Sequence, residues 1–373
     1  GTAADVGKVA DPFAAATTVI VDADYTLQAL FEYDLTPPSP QPAWRVAPTA
    51  TGPTRITMTA ASCTDDNPPV EYWFECLTDS AFSSGWQASP AYHVEYLSPA
   101  CEYVFQVKAR DSAAARNETG WSLSASAVTE PPRRDVQILS GFRSGLTHAA
   151  PASAARRLLV FTAHAEGTDS SMSLAGLTYG GVPMTKIAEG RQFASVSRSY
   201  VYIAAFVLDE AGIAAASGSS FVPVWSTTPA GVGYASAFFD SVHPAAPVSF
   251  IDVKGAEDVT VSSSALYAEK GDIVIAAGTC SEEGDYTAGN EFTKAVELDI
   301  SSADGIVVWK RSDSPAFQTP GITHSVGYAQ ALLSFVVQGA PKEPLYGDIN
   351  GDFTVNLEDL PLFLDAWLTA ECE

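Results

Sequence analysis

Between residues 19 and 33 every second position is apolar: Val19, Val21, Ala23, Tyr25, Leu27, Ala29, Phe31 and Tyr33 alternate with residues such as Asp22, Asp24, Thr26, Gln28 and Glu32. A period of two predicts a β-strand with one apolar and one wet face, about 50 Å long at about 3.3 Å per residue. Segment 1–41 is too short to enclose that face. The strand is therefore expected to pair with another module of the chain or with another molecule.

From 42 to 130, short β-rich runs recur at 54–60, 70–76, 102–110 and 121–128, separated by turn residues, which predicts a sandwich. From 135 to 339, strand-like blocks recur at 157–163, 174–179, 200–208, 221–225, 233–239, 258–262, 272–277, 305–309 and 325–337. Helical periodicity is nearly missing. Prolines at 37, 38, 40 and 42, at 131 and 132, and at 341 and 344 separate the pieces. The expectation is an all-β chain of tandem β-sandwiches: a smaller one at 42–130 and a larger, jelly-roll-like one at 135–339. An N-terminal extension (1–41) with a lone strand precedes them, and a linker with a short helix (340–373) follows.

Composition narrows the function classes. Lys plus Arg number 20 against 44 Asp plus Glu, a net charge of −24, so a face that tracks a nucleic-acid backbone is not expected. Apolar runs such as 200–208 and 331–337 are far shorter than the roughly 20 residues of a spanning helix, so no membrane span is expected. Abundant Thr, Ser, Val, Gly and Tyr with few charges fit a secreted or cell-surface β protein. Any export leader is expected to have been removed or to lie outside the numbering. Cys63, Cys76 and Cys101 fall close together, and two of them are expected to form a disulfide, the spacing not choosing which. Asn117-Glu118-Thr119 is a glycosylation sequon in a loop expected to tolerate a glycan.

Several stretches resemble known families. Leu97-Ser98-Pro99 followed by Tyr103 and an alternating strand resembles the tyrosine corner and sixth strand of a fibronectin type III domain, with Tyr72-Trp73-Phe74 and Gly120-Trp121-Ser122 as further matches. The resemblance covers 42–130 and implies that the Tyr103 hydroxyl bonds back to the preceding loop. The segment TTVIVDADYTLQALFEY resembles the closing strand of small β-repeats in bacterial surface proteins. Parts of 156–203 resemble uncharacterised β-sandwich modules of secreted bacterial and phage-tail proteins, which implies a surface location.

At 347–360, Asp348, Asn350, Asp352, Thr354, Asn356 and Asp359 occupy positions 1, 3, 5, 7, 9 and 12 of a loop of oxygen ligands suited to calcium. Gly351 precedes the third ligand and Phe353 stands at position 6. This departs from an ordinary EF-hand and is similar to one half of a type I dockerin. A working dockerin carries two such loops. The single loop is therefore expected to staple the tail, with Leu360, Phe363, Leu364 and Trp367 packing at helical spacing.

Catalytic signatures are sparse. The sequence holds no G-x-S-x-G, H-E-x-x-H, phosphate loop or dinucleotide fingerprint. His93, His148, His164, His243 and His324 are expected on surfaces or in half-buried sheet positions. Glu282, Glu283 and Asp285, with Asp299 and Asp304, are expected in a solvated loop rather than as a glycosidase pair or a second calcium site. Trp86, Trp225 and Trp309 are expected in cores rather than on a sugar-stacking platform. These features together lead to the expectation of a non-catalytic structural protein whose partners are copies of itself, joined head to tail by strand addition and calcium-stapled contacts. A carbohydrate-binding adhesin anchored through its tail, with glycans as partners, is the alternative, and a hydrolase is a third class.

Overall fold

A computed structural model describes residues 34–152, 156–289, 291–326 and 328–343. They are almost wholly β-structure. Strands β1 (Trp44–Gly52), β2 (Arg55–Ala60), β3 (Glu71–Cys76), β4 (Trp86–Gln87), β5 (Ala91–Val94), β6 (Glu102–Arg110) and β7 (Ala125–Val128) form the first module. One sheet has the order β1-β2-β5 and the other β4-β3-β6-β7. Burial alternates along β2, β3 and β6, as expected of strands with one face in a core and one toward solvent. Phe74 of β3 is fully buried; it stacks on Tyr92 of β5 with ring centroids 5.5 Å apart and meets Trp44 of β1 at 6.2 Å. The Ser98 backbone N–H donates to the Tyr103 hydroxyl at 2.9 Å, which is the tyrosine-corner bond expected of this fold. The module is a fibronectin type III-like sandwich.

Cys63, Cys76 and Cys101 each stand as a free thiol in the structure. Each is held by its own surroundings. Cys63 is buried, giving its backbone N–H to the Tyr72 hydroxyl and its thiol to the Ala61 carbonyl. Cys76 is buried at the end of β3, and Cys101 is exposed before β6 with its backbone bonded to Thr129.

The larger module has more layers than the expected two. Its first half contains β8 (Gln137–Ser144), β9 (Leu158–Gly167), β10 (Leu174–Tyr179), β11 (Val182–Pro183), β12 (Thr185–Ala194), β13 (Ser199–Asp209), a six-residue helix α1 (Glu210–Ala215), β14 (Phe221–Trp225) and β15 (Gly231–Asp240). The second half contains β16 (Val248–Glu257), β17 (Thr260–Ser262), β18 (Leu266–Ala268), β19 (Ile273–Cys280), β20 (Tyr286–Ala288), β21 (Thr293–Asp299), β22 (Asp304–Arg311), β23 (Ala316–Gln318), β24 (Gly321–His324) and β25 (Ala329–Val337).

The two halves share one topology. Read from its first strand, the first half's five-stranded sheet runs β8-β15-β9-β13-β12, and the second's runs β16-β25-β19-β22-β21. A small sheet accompanies each: β14 pairs with β10, with Ser220 just before it bridging Thr147, while β24 pairs with β20 and β17. The five-stranded sheets face one another across a core that includes Val160, Ile203 and Ala237 from one and Ile275, Leu333 and Phe335 from the other. Their opposite faces are covered too. Phe161 and Phe238 pack with Tyr179 and Phe221 of the first small sheet, and Val274 and Val336 pack with Ile322 of the second. This is why β9, β19 and β25 are buried at every position and are mostly apolar in sequence.

By backbone contacts the described residues divide into two compact units, one comprising 34–47, 58–92 and 104–125 and the other 48–57, 93–103 and those from 126 to 343.

Candidate functional site

Three places gather chemistry-bearing side chains. In the first unit, loops before β1, after β2 and after β6 bring the carboxylate oxygens of Asp34, Asp65 and Asp111 within 4.8 Å of one another. Asp111 is fully buried; one of its oxygens accepts from the Ala113 and Asn117 backbones and the other from the Asn117 amide at 2.7 Å. Asn67 donates to Asp34 at 2.7 Å, and the Thr36 hydroxyl and N–H hold the Asp34 carboxyl below its ordinary range. Three acidic groups in an oxygen-rich loop set are what a hard cation takes, and these residues could hold one. The sequence carries no local sign of the group, since its members stand dozens of residues apart. Asn117 bears on the sequon as well. Its Nδ2, the atom a glycan would occupy, donates to Asp111 and to the Asp34 carbonyl, so a glycan here would displace both bonds.

On the outer face of β3, β4 and β6, Lys108 Nζ lies 5.4, 5.3 and 4.7 Å from the ring centres of Trp73, Trp86 and Trp121. Arg110 stands 4.2 Å over Trp86 and pairs with Glu71 at 2.7 Å. The ladder follows from register: Trp73 is opposite both Trp86 and Lys108, and Glu71 is opposite Arg110. The cations therefore occupy the ring faces that a sugar would use. Trp225 donates to the Tyr234 hydroxyl and Trp309 packs against the central core, so Trp86, Trp225 and Trp309 form no common platform.

The third place lies beneath the outer cover of the second half. The Cys280 thiol at the end of β19 is 3.4 Å from His324 Nδ1 on β24, and His324 Nε2 is 3.6 Å from an Asp304 oxygen at the start of β22. The Tyr286 ring packs edge-on against His324 at 4.6 Å. Nucleophile, base and acid stand in line, as an acyl-transfer site requires. Cys280 is fully buried and His324 only 1% exposed, and burial pushes the thiol up to about 11. His148 and His164 are buried as well, so three of the five histidines depart from the expected surface or half-buried positions. Each has an internal partner that the sequence does not reveal: His148 bonds Ser140 and Ser236, and His164 bonds the Gly278 carbonyl and Thr162.

An open groove of about 330 Å3 runs past Ser144, Tyr234, Glu297 and Asp299. Burial acts to raise the Glu297 carboxyl, but its ion pair with Lys294 at 2.7 Å and the Tyr286 N–H leave it below the ordinary range. A glycosidase acid needs the opposite shift. Among the described residues, Glu282, Glu283, Asp285, Asp299 and Asp304 do not assemble a cation site. The assembly strand at 19–33, the calcium ligands at 348–359 and the helix contacts Leu360, Phe363, Leu364 and Trp367 lie outside the described residues. No described helix is long and apolar enough to cross a membrane.

No family model matches the chain, and no curated protein matches it. Solved structures do. The solution structure of a fibronectin type III domain of human fibronectin type III domain containing protein 3 is 19% identical, over 28% of this chain and 92% of that one, with a TM-score of 0.20. A crystal structure titled FN3tt is 16% identical over 26% and 97%, with a TM-score of 0.20. A family 28 exopolygalacturonase of Yersinia enterocolitica is 17% identical over 25% of this chain and 21% of the enzyme, with a TM-score of 0.21.

Proposed function

We propose that this chain is a non-catalytic, secreted structural protein, a subunit of an extracellular filament or surface layer. The observation that carries the reading is the burial of the larger module on both faces of its sheets: β9, β19 and β25 have no exposed residue. A body filled in this way is stiff, and its interior has no room for a diffusing substrate. Cys280 and His324 are buried, which speaks against turnover of an outside molecule at the trio they form with Asp304. Attachment then falls to the ends. The alternating strand at 19–33 suits addition to a sheet edge of another copy, where backbone bonds supply affinity and alternate side chains supply specificity. The calcium loop at 348–359 would fix the tail helix, with calcium as the one inorganic partner.

The test is sedimentation of the full chain beside a chain lacking residues 1–33. Strand addition predicts large assemblies for the first and discrete particles for the second. Identical discrete particles for both would overturn the reading.

A further inference from the structure

Cys280 and Gln330 stand directly opposite one another on β19 and β25. The next pair along, Ser281 and Ala329, carries a ladder hydrogen bond, so Cys280 and Gln330 occupy the non-hydrogen-bonded kind of pair, whose side chains approach most closely. Both side chains point to the outer-core face of the sheet, the face that carries Val274, Ala276, Leu332 and Val336. Neither residue has any exposed surface.

The surroundings are those of an acyl acceptor and its base. The Gln330 amide nitrogen donates to the carbonyls of Asp258 at 2.6 Å and Val259 at 2.8 Å, which uses both of its hydrogens. Its carbonyl oxygen is buried without a partner. The Tyr286 hydroxyl and His324 Nε2 are also buried without hydrogen-bond partners, so three of the unsatisfied polar atoms among the described residues fall in this one region. Native cores leave few such atoms, and those that persist mark strain or chemistry. Counting from Val-Gly-Tyr-Ala, present in the first half at 232–235 and in the second at 326–329, the matching pair in the first half is Phe161 and Ser236. The thiol–amide pair is thus particular to the second half.

We propose that Cys280 and Gln330 form an internal thioester that cross-links the two neighbouring strands β19 and β25. His324 Nδ1 stands 3.4 Å from the sulfur, 3.3 Å from the Val326 N–H and 3.0 Å from the Val326 carbonyl; in the tautomer with its hydrogen on Nε2, toward Asp304, it takes the thiol proton as Sγ attacks the Gln330 side-chain carbonyl carbon. The tetrahedral intermediate collapses with cleavage of the C–N bond. The imidazolium returns the proton to the departing nitrogen, which leaves as ammonia while still bonded to the Asp258 and Val259 carbonyls. One S–C bond forms, one C–N bond breaks, and no electrons are gained or lost. Fixed opposition on adjacent strands supplies the effective concentration, and burial excludes the water that would hydrolyse the product. The same burial that closes the trio to outside substrates makes this amide the acyl group presented to it.

The test is the intact mass of the full chain in acid, with peptide mapping, beside Cys280→Ala and Gln330→Glu. The proposal predicts a chain lighter by one ammonia, with Cys280 and Gln330 in a single linked peptide. Methylamine added on denaturation should free the thiol and place an N-methyl amide at Gln330, and both variants should lose the mass deficit. A wild-type chain of full mass with an alkylatable Cys280 would overturn the proposal. So would an ammonia loss that maps elsewhere or survives in Cys280→Ala.

Discussion

The burial of His164 has a cost that is measurable with pH. Its Nδ1 meets the Gly278 carbonyl at 3.0 Å and its Nε2 meets Thr162 at 3.1 Å, and burial drives its pKa from 6.5 to about 3. A histidine held neutral in the fold and protonated when unfolded contributes stability that is complete above about 6.5 and is lost as pH falls toward 3. The slope is roughly 1.4 kcal/mol per pH unit across that window. Denaturant titrations between pH 7 and 4 should show that slope, and His164→Gln should flatten it by about that amount; parallel profiles would contradict it. Gly305 belongs to the same site, since a Cβ there would stand 2.8 Å from His164 Nδ1. Gly305→Ala is expected to destabilise by about 1–3 kcal/mol, read as a shift in denaturation midpoint. Tyr103 and Leu97 were legible as a corner because their partners are a few residues away. Cys280 and Gln330 were not, because fifty positions separate them and only strand register makes them neighbours.

At the scale of elements, the aromatic ladder ties three strands of the first module through a single ammonium. Lys108→Ala removes the cation from three tryptophan faces and should cost about 1–2 kcal/mol, with a change in tryptophan emission before unfolding. An unchanged midpoint and spectrum would show that the rings pack without it. Strands inside the large sheets are legible in the sequence and their edges are not: β9, β13, β15, β19, β22 and β25 are mostly apolar, whereas β8, β12, β16 and β21 carry no such run. All four are edge strands. They carry residues such as Lys186, Glu189 and Arg191 on β12, or Asp252, Lys254 and Glu257 on β16, the charges that keep an edge from pairing with strangers and that also erase the period of two. The duplication was hidden for a related reason. A strand buried on both faces is constrained to be mostly apolar rather than to a particular sequence, so the halves agree in topology while sharing little more than Val-Gly-Tyr-Ala.

For the molecule as a whole, the all-β class follows from turn spacing and composition, and the fibronectin type III-like sandwich from the resemblance carried by Tyr103 and its neighbours. The number of layers does not, because continuous apolar runs say that a strand is covered without saying by what. On the proposed reading, the work of the chain falls to the alternating segment at 19–33 and the acidic loop at 348–359. Deleting either end should leave the fold intact: a chain of residues 34–343 is expected to unfold cooperatively at a denaturant midpoint close to that of the full chain, and a broad, early transition would contradict that. The most direct test of assembly through the ends is negative-stain microscopy of the full chain in calcium and again after chelation. Filaments or sheets in calcium that loosen or disperse on chelation are the predicted result, whereas single particles under both conditions would contradict the account.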